Sequence, residues 1–272
     1  MKFSFCNEMF EGWKWEEICR IAREEGYAGI EVAPYTFNYD VRDLGSSERS
    51  AISRTAKDYG LDIVGTHWLL VRPGGMNLFS EDPKVSRFTA DYLLHQVDFC
   101  ADIGGKVLTF GSPNQRNVPE GMDREEAEEL FVEVLRRVGD RAVERGVKFC
   151  VEPLPPSMTN LMETVKEAVR IAAKADHPGI SFMLDVKSVC AETKDVAGVI
   201  MKYSGMFDHF HANDSNMKGP GFGDVDFVPI MQALEDSGYK GFVSLEAFDF
   251  DPDPLTIVRK SLAYMKACEK RQ

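Results

Sequence analysis

Short apolar runs recur along the chain and alternate with longer segments in which apolar residues are spaced three and four positions apart. The short runs are rich in Val, Ile, Leu and Phe, as β-strands are. They predict eight strands, at residues 2–7, 28–33, 61–67, 106–111, 147–152, 180–185, 207–212 and 241–247. The segments between them have the period of amphipathic helices, most clearly around Leu130, Val134 and Val138, where Glu and Arg occupy the other face.

Glycines mark where several of these helices end. Gly26, Gly60, Gly104, Gly146 and Gly238 each precede the next predicted strand, as C-terminal capping glycines do. Strict alternation of eight strands and eight helices indicates a parallel sheet. In a chain of 272 residues this favours a closed (β/α)8 TIM barrel over an open doubly wound sheet. No linker or low-complexity segment divides the chain, so we expect one domain, residues 1–272.

The longer predicted loops, at 34–46, 68–80, 112–121 and 212–225, all follow strands. Barrel enzymes build their active sites from the loops at this end of the strands. Composition narrows the function further. The net charge of −12 argues against a nucleic-acid partner. No apolar run is long enough for a membrane span, and the first residues lack a signal-peptide pattern, so we expect a cytoplasmic protein. The six cysteines form no C-x-x-C pair and are typical of reduced, packed thiols.

Four ionisable residues each close an apolar run in the second half of the chain: Glu152, Asp185, His211 and Glu246. If all four face the barrel interior, adjacent strands bring three carboxylates and an imidazole to one point. Three carboxylates cannot remain ionised in a small space without a cation. One such acid alone is equally typical of a helix N-cap, but four in succession favour a divalent metal site. The ligand set suits Mn²⁺ or Co²⁺, with Zn²⁺, Mg²⁺ and Fe²⁺ as alternatives.

Several motifs resemble the xylose isomerase-like barrels, which include sugar epimerases of the D-tagatose 3-epimerase type, hydroxypyruvate isomerase, inosose dehydratase and endonuclease IV. The motifs are Val151-Glu-Pro-Leu154, Met183-Leu-Asp185, His209-Phe-His-Ala-Asn-Asp214, Gly219-Pro-Gly-Phe-Gly-Asp-Val-Asp-Phe227 and Val243-Ser-Leu-Glu246. The resemblance implies that the four residues bind one divalent metal, Mn²⁺ above all. It also implies that Glu152 and Glu246 are the acid/base pair that moves a proton through an enediolate. A homo-oligomer, dimer or tetramer, is typical of the family.

The chain departs from the sugar epimerases where they grip their substrate. Glu152 is followed by Pro-Leu-Pro-Pro-Ser-Met rather than by the family's Asn, Arg and second Glu. Ser188 and Met217 stand where the epimerases often carry His and Arg. Lys187 and Lys218 are candidate replacements that bind substrate, although both lysines also fit an ordinary surface position.

Other residues at predicted strand ends are candidates for the substrate pocket. Asn7, Glu31, His67 and Phe110 are four of them, and Trp68 beside His67 offers an apolar platform to a sugar. His209 lies two residues before His211, one layer deeper on the same face, which indicates a residue that supports the metal ligands.

Three enzyme classes follow from this reading. The leading one is a metal-dependent isomerase or epimerase of a carbohydrate or keto-sugar. The alternative is a metal-dependent lyase or dehydratase on a keto-sugar or keto-inositol, which begins with the same enolate. An endonuclease IV-like repair enzyme is a remote third, because that class needs three zinc ions and many histidines, and this chain has five histidines. A non-catalytic binding barrel would not need both glutamates.

Overall fold

The structure, a computed structural model, describes residues 1–270 and contains eight parallel strands hydrogen-bonded in sequence order into a closed barrel. The strands are β1 (Lys2–Cys6), β2 (Gly29–Val32), β3 (Asp62–Thr66), β4 (Val107–Phe110), β5 (Lys148–Val151), β6 (Ile180–Asp185), β7 (His209–Ala212) and β8 (Phe242–Leu245). Each lies inside one of the predicted strand ranges, and the predicted TIM barrel is confirmed. Residues 271 and 272, which complete the predicted domain, lie outside the described residues.

The helices surround the barrel. They are α1 (Trp15–Glu25), α2 (Ser46–Asp58), α3 (Pro83–Ile103), α4 (Pro113–Arg116), α5 (Arg124–Arg145), α6 (Val165–Ala175), α7 (Val186–Glu192), α8 (Val196–Lys202), α9 (Phe227–Asp236) and α10 (Pro254–Glu269). The expectation of one helix after each strand is therefore too simple for the described chain. A short extra helix, α4, follows β4. The connection after β6 is broken into α7 and α8, because Asp195 accepts a hydrogen bond from the Gly198 amide and starts a new helix. None of these helices is long and apolar enough to cross a bilayer.

Helix ends follow the local sequence. Gly104 and Gly146 end α3 and α5 in the left-handed conformation, with φ of +100° and +67°, as the capping pattern predicts. Asp123 caps the start of α5 through the Glu125 and Glu126 amides. Asp185 is both the last residue of β6 and the N-cap of α7, so a single residue fixes the turn from strand to helix. This turn places the Asp185 carboxylate at the carboxyl-terminal rim of the barrel.

Successive side chains of a strand point alternately out of and into the barrel, and in this rim region the outward ones are apolar and the inward ones polar. Phe110 and Phe149 point outward and stack with each other, and Phe110 also stacks on Phe131 of α5. The barrel interior is polar around the buried Glu31 carboxylate, which accepts hydrogen bonds from Thr109 and His209. A barrel interior usually holds branched aliphatic layers. The polar layer here lies directly below the rim and supports the site described next.

Candidate active site

Glu152, Asp185, His211 and Glu246 converge at the carboxyl-terminal rim. They come from four adjacent strand ends, β5 to β8, and one ligand-type atom of each lies within 4.8 Å of the others. All four side chains are buried, with 6% or less of each residue exposed. Asp185 and His211 are neighbours in the β6–β7 register, which fixes their separation. The barrel thus brings together the four residues that the sequence singled out.

The imidazole of His211 is held between two carboxylates. Its Nδ1 lies 3.0 Å from Glu246 Oε2, and its Nε2 lies 3.2 Å from both oxygens of Glu31. Glu31 is itself 2.7 Å from His209 Nε2. Nδ1 therefore faces Glu246 of the quartet, while Nε2 faces Glu31, which His209 contacts in turn. The predicted supporting position of His209 agrees with this geometry, which is typical of a histidine prepared to bind a metal.

Asp185 is fixed by two amide groups. Its Oδ1 accepts from the Ser188 backbone N–H at 2.7 Å, and its Oδ2 accepts from Asn213 Nδ2 at 2.5 Å. The other end of the Asn213 amide accepts from the Lys187 backbone N–H at 2.7 Å. Asn213 therefore ties β7 to the start of α7 and orients the Asp185 carboxylate.

The carboxylates of the quartet repel one another, and the imidazole of His211 attracts them. Burial, followed by the charges of Glu246 and Asp185, raises the pKa of Glu152 to about 8. Burial would also raise the pKa of Glu246, but contact with His211 and then His67 lowers it well below its usual range. Without a cation, then, the cluster must retain protons. The donor set of three carboxylates and an imidazole fits a divalent ion, whose charge takes the place of those protons.

A cavity of about 240 Å³ opens beside two members of the quartet, Glu152 and Glu246. Its floor contains Glu152, Glu246, His67 and Thr109, and much of its wall is apolar: Trp68, Val71, Pro113, Leu154, Met158 and Phe248. The Trp68 and Phe248 rings lie 6.1 Å apart. Trp68 has a left-handed backbone with φ of +54°, an uncommon conformation for a bulky residue. This conformation places the indole at the rim, so His67 and Trp68 both line the cavity.

Lys187 lies beside this cavity rather than on the surface. Only 7% of the residue is exposed. Its ammonium group lies 4.2 Å from the centre of the Phe248 ring and 3.6 Å from the Met158 sulfur, and both of those residues line the cavity. Within residues 1–270 no carboxylate comes within ion-pair distance of it. Lys187 is thus a buried cation close to the substrate space.

Lys218 has a different environment. Its ammonium group lies 3.0 Å from an Asp251 oxygen and 3.6 Å from an Asp249 oxygen, and the residue does not belong to the cavity lining that the described chain forms. The expectation that Lys218 binds substrate is therefore not supported. The structure gives it the role of joining the loop after β7 to the loop after β8.

Two further expectations need correction. Phe110 does not line the cavity, because the alternation of β4 turns it outward and leaves Thr109 facing the interior. Asn7 has both ends of its amide engaged: Nδ2 donates to Thr36 Oγ1 at 2.9 Å and Oδ1 accepts from the Ala33 amide at 2.7 Å. It joins the ends of β1 and β2 and does not belong to the cavity lining that the described chain forms.

Two buried charged residues were missed. Glu8 lies two residues after the end of β1 and contacts His67, with Oε2 at 3.3 Å from Nε2. Arg116 of α4 is fully buried, and its Nη1 donates to the backbone oxygens of Phe110 at 3.3 Å and Glu152 at 2.7 Å. An acid at a strand end was a usable signal for Glu8. No sequence signal distinguishes Arg116 from a surface arginine of a loop.

Comparisons with known proteins agree with the fold. A family model described as Xylose isomerase-like TIM barrel matches residues 19–268. A probable ketose 3-epimerase of Synechocystis is 24% identical over 88% of this chain and 80% of its own length. A D-psicose 3-epimerase of Ruminiclostridium cellulolyticum is 32% identical over 63% of this chain and 59% of its own length. The crystal structure of D-psicose 3-epimerase from Clostridium cellulolyticum superposes with a TM-score of 0.82, 20% identity and 99% coverage of both chains.

Proposed function

Because the chain belongs to the xylose isomerase-like TIM barrel family, we propose that it is a divalent-metal-dependent epimerase or isomerase of an uncharged sugar. The observation that carries this proposal is the convergence of Glu152, Asp185, His211 and Glu246, two of which, Glu152 and Glu246, line a cavity. The similarity to named ketose 3-epimerases supports the same reaction class. The reacting carbon is the one next to the carbonyl group of the sugar.

The quartet would hold one ion, and Mn²⁺ is the metal we expect, with Co²⁺, Zn²⁺, Mg²⁺ and Fe²⁺ compatible with the same ligands. When bound, the ion supplies a Lewis acid that stabilises negative charge on the substrate oxygens. Other residues of the chain orient the ligands. Asn213 and the Ser188 amide orient Asp185, and Glu31 orients His211.

Glu152 and Glu246 move the proton. They reach the cavity from β5 and β8, with the ends of β6 and β7 between them. One carboxylate removes the proton from the carbon next to the carbonyl, and the electron pair forms the enediolate. The other carboxylate returns a proton to that carbon from the opposite face in an epimerase. No oxidant or other co-reactant is needed.

The charges around the cavity favour a neutral substrate. Two carboxylates belong to the lining, and of the described residues that line it none is Lys or Arg. A phosphate group would meet these carboxylates without a lining cation to offset them. The apolar wall with Trp68 and Phe248 is typical of a carbohydrate-binding surface, where an aromatic ring covers the C–H face of a sugar. Nucleic acid is disfavoured for the same electrostatic reason.

Proton exchange tests the proposal. We expect the Mn²⁺-loaded protein to incorporate solvent deuterium next to the carbonyl of at least one sugar among D-fructose, D-psicose, D-tagatose and a 3-keto-glucoside, measured by NMR after the metal is removed. Glu246→Gln and Glu152→Gln should each reduce exchange by about a hundredfold or more. Glu144→Gln, the same change at an exposed helix position, should have no effect. Absence of exchange with all four sugars under every metal would contradict the proposal.

One observation favours the lyase or dehydratase alternative. The ammonium group of Lys187, which contacts the Phe248 ring and the Met158 sulfur, lies beside the cavity, where it could donate a proton to a leaving oxygen after the enolate forms. The same NMR panel separates the two reactions, since elimination yields an unsaturated product and free water or alcohol. Lys187→Met should abolish elimination but leave the initial proton exchange measurable. The homo-oligomer, a dimer or tetramer, and the cytoplasmic location that the sequence analysis expects remain predictions.

A further inference from the structure

Glu8 and His67 form a buried pair on the opposite side of the cavity floor from the quartet's Glu152. Glu8 is the second residue of the short 3-10 helix Asn7–Phe10 after β1, and His67 follows β3. Exposure is 4% for Glu8 and 1% for His67. His67 lines the cavity, whereas Glu8 does not belong to the lining and contacts the imidazole from the other side. The pair is therefore a wall residue with a carboxylate behind it.

Both side chains have ion-pair contacts but no hydrogen bond within the described chain. His67 Nε2 lies 3.3 Å from Glu8 Oε2 and Nδ1 lies 3.5 Å from Glu246 Oε1, but neither contact has hydrogen-bond geometry. Across residues 1–270, both Glu8 oxygens and both His67 nitrogens lack a hydrogen-bond partner. A buried polar group without a partner typically costs about 1–3 kcal/mol, and more when it is charged. His67 lines the cavity, so a ligand bound there can satisfy its ring nitrogens.

We propose that Glu8 and His67 form a hydroxyl-binding subsite, in which His67 contacts a sugar hydroxyl that is not a metal ligand and Glu8 positions the imidazole. The proposal deepens the proposed function and rests on it. With Nε2 turned toward Glu8, Nδ1 is the ring nitrogen on the Glu246 side of the cavity floor. When Nδ1 carries a proton, a hydroxyl group can accept from Nδ1 and donate its own proton to Glu246 at the same time; when Nδ1 carries none, the hydroxyl donates to Nδ1 instead.

A metal ion is the competing occupant of this pair. Cys6, Glu8 and His67 each offer a ligand-type atom within 4.8 Å of the others. The Cys6 sulfur, however, is already placed 3.7 Å from Glu31 Oε2 and 3.6 Å from Ser244 Oγ. Only the thiolate is a good metal ligand, and burial with the nearby charge of Glu31 disfavours it by raising the pKa of Cys6 to about 11. The geometry thus favours a hydroxyl over a second ion.

The test compares D-fructose with its 4-, 5- and 6-deoxy analogues in the metal-loaded enzyme. If His67 binds one hydroxyl, the wild-type protein should prefer D-fructose over one of these analogues by about tenfold or more in kcat/KM for proton exchange. His67→Phe should remove that preference, and Glu8→Gln should reduce it. Glu11→Gln and His95→Gln, matched changes at exposed positions on the same loop and on α3, should retain it.

A direct readout does not depend on turnover. In Mg²⁺-loaded protein labelled with ¹⁵N-histidine, saturating D-fructose should shift the ring nitrogens of His67, assigned through His67→Phe. The relevant deoxy analogue should shift them less. Glu8→Gln should change the ratio of the two His67 ring signals in the free protein, because the carboxylate sets which nitrogen carries the proton. A purely structural role for Glu8 predicts no change in that ratio.

Each failure has a distinct meaning. If D-fructose shifts His211 but leaves His67 unmoved, the subsite is wrong while the proposed function stands. If a second metal equivalent shifts His67 before sugar is added, and His67→Phe removes that equivalent, the pair is a metal site and the hydroxyl proposal is overturned. If no sugar of the panel shifts either histidine and none exchanges its proton, the proposed function fails and the subsite fails with it.

Discussion

The two halves of the barrel rim differ in how their buried charges are satisfied. On the β5–β8 side, Asp185 and His211 each have two or more hydrogen-bonding neighbours that fix their direction. On the β1–β3 side, Glu8 and His67 are equally buried but have no hydrogen-bond partner in the described chain. A rigid set of donors suits an ion that must always be present. Unsatisfied groups suit a ligand that comes and goes.

The largest loss of activity should come from removing a metal ligand on the β5–β8 side of the rim. Asp185→Asn keeps the cap on α7 but removes one negative ligand, so we expect metal binding to weaken severely and proton exchange to fall at least about a thousandfold. Circular dichroism and thermal unfolding should show that the barrel is retained. Asp195→Asn, the same change at the cap of α8, is the matched control. Wild-type activity in Asp185→Asn would contradict the ligand role.

A smaller loss should follow when the support is removed but the ligands are kept. Asn213→Ala deletes the hydrogen bonds to Asp185 and to the Lys187 amide. Support of this kind is typically worth about 10–100-fold in metal affinity or activity. Isothermal titration with Mn²⁺ measures it. Asn216→Ala, in the same loop and exposed, should bind Mn²⁺ as the wild type does.

The pH dependence of metal binding tests whether the metal displaces a proton from the quartet. In the metal-free protein the pKa of Glu152 is raised from 4.5 to about 8, so the folded chain holds this proton across pH 5–7. The stabilisation from that proton is complete below pH 4.5 and is lost as pH rises through 8. Metal must displace the proton, so affinity should increase by up to about tenfold per unit between pH 6 and 7 and by less as the pH approaches 8.

Titrations at pH 6, 7 and 8 measure this slope. Glu152→Gln has no proton to lose at that position, and its slope should be smaller by about one proton per metal. A pH-independent affinity in the wild-type protein would show that the quartet carries no displaceable proton.

The smallest effect should come from the apolar wall. Trp68→Ala removes one side of the Trp68–Phe248 pair, which lines the same cavity as Glu152 and Glu246. Loss of one aromatic contact costs about 0.5–1.5 kcal/mol, or a rise of roughly threefold to tenfold in KM, with metal affinity unchanged. Steady-state kinetics together with a Mn²⁺ titration checks both. Weaker metal binding in Trp68→Ala would contradict the conclusion that the apolar wall contacts the substrate and does not support the metal site.

The sequence predicted the residues of the β5–β8 side of the rim better than the contacts of the β1–β3 side, and the reason is physical. The period of the strands and the acids that end them are local, so Glu152, Asp185, His211 and Glu246 could be found from spacing alone. The direction of a side chain at a strand end depends on register, and for this reason Phe110 was assigned to the cavity although it packs on Phe131. Contacts between distant loops leave no local pattern.

Lys218 and Arg116 illustrate that last limit. The partners of Lys218 lie more than thirty positions away, at Asp249 and Asp251. Arg116 is buried through contacts with the backbone of β4 and β5, and backbone groups carry no sequence information. In the same way, the link between Glu8 and His67 appears only when the ends of β1 and β3 meet at one rim.

The central claim is that four strand-end residues bind one divalent ion that the reaction requires. The most direct measurement is the metal content per chain after a metal-free sample is reloaded with Mn²⁺ and desalted, compared with Asp185→Asn treated in parallel. We predict about one ion per wild-type chain and almost none in the variant. No retained ion in the wild type, or equal retention in both proteins, would contradict the account.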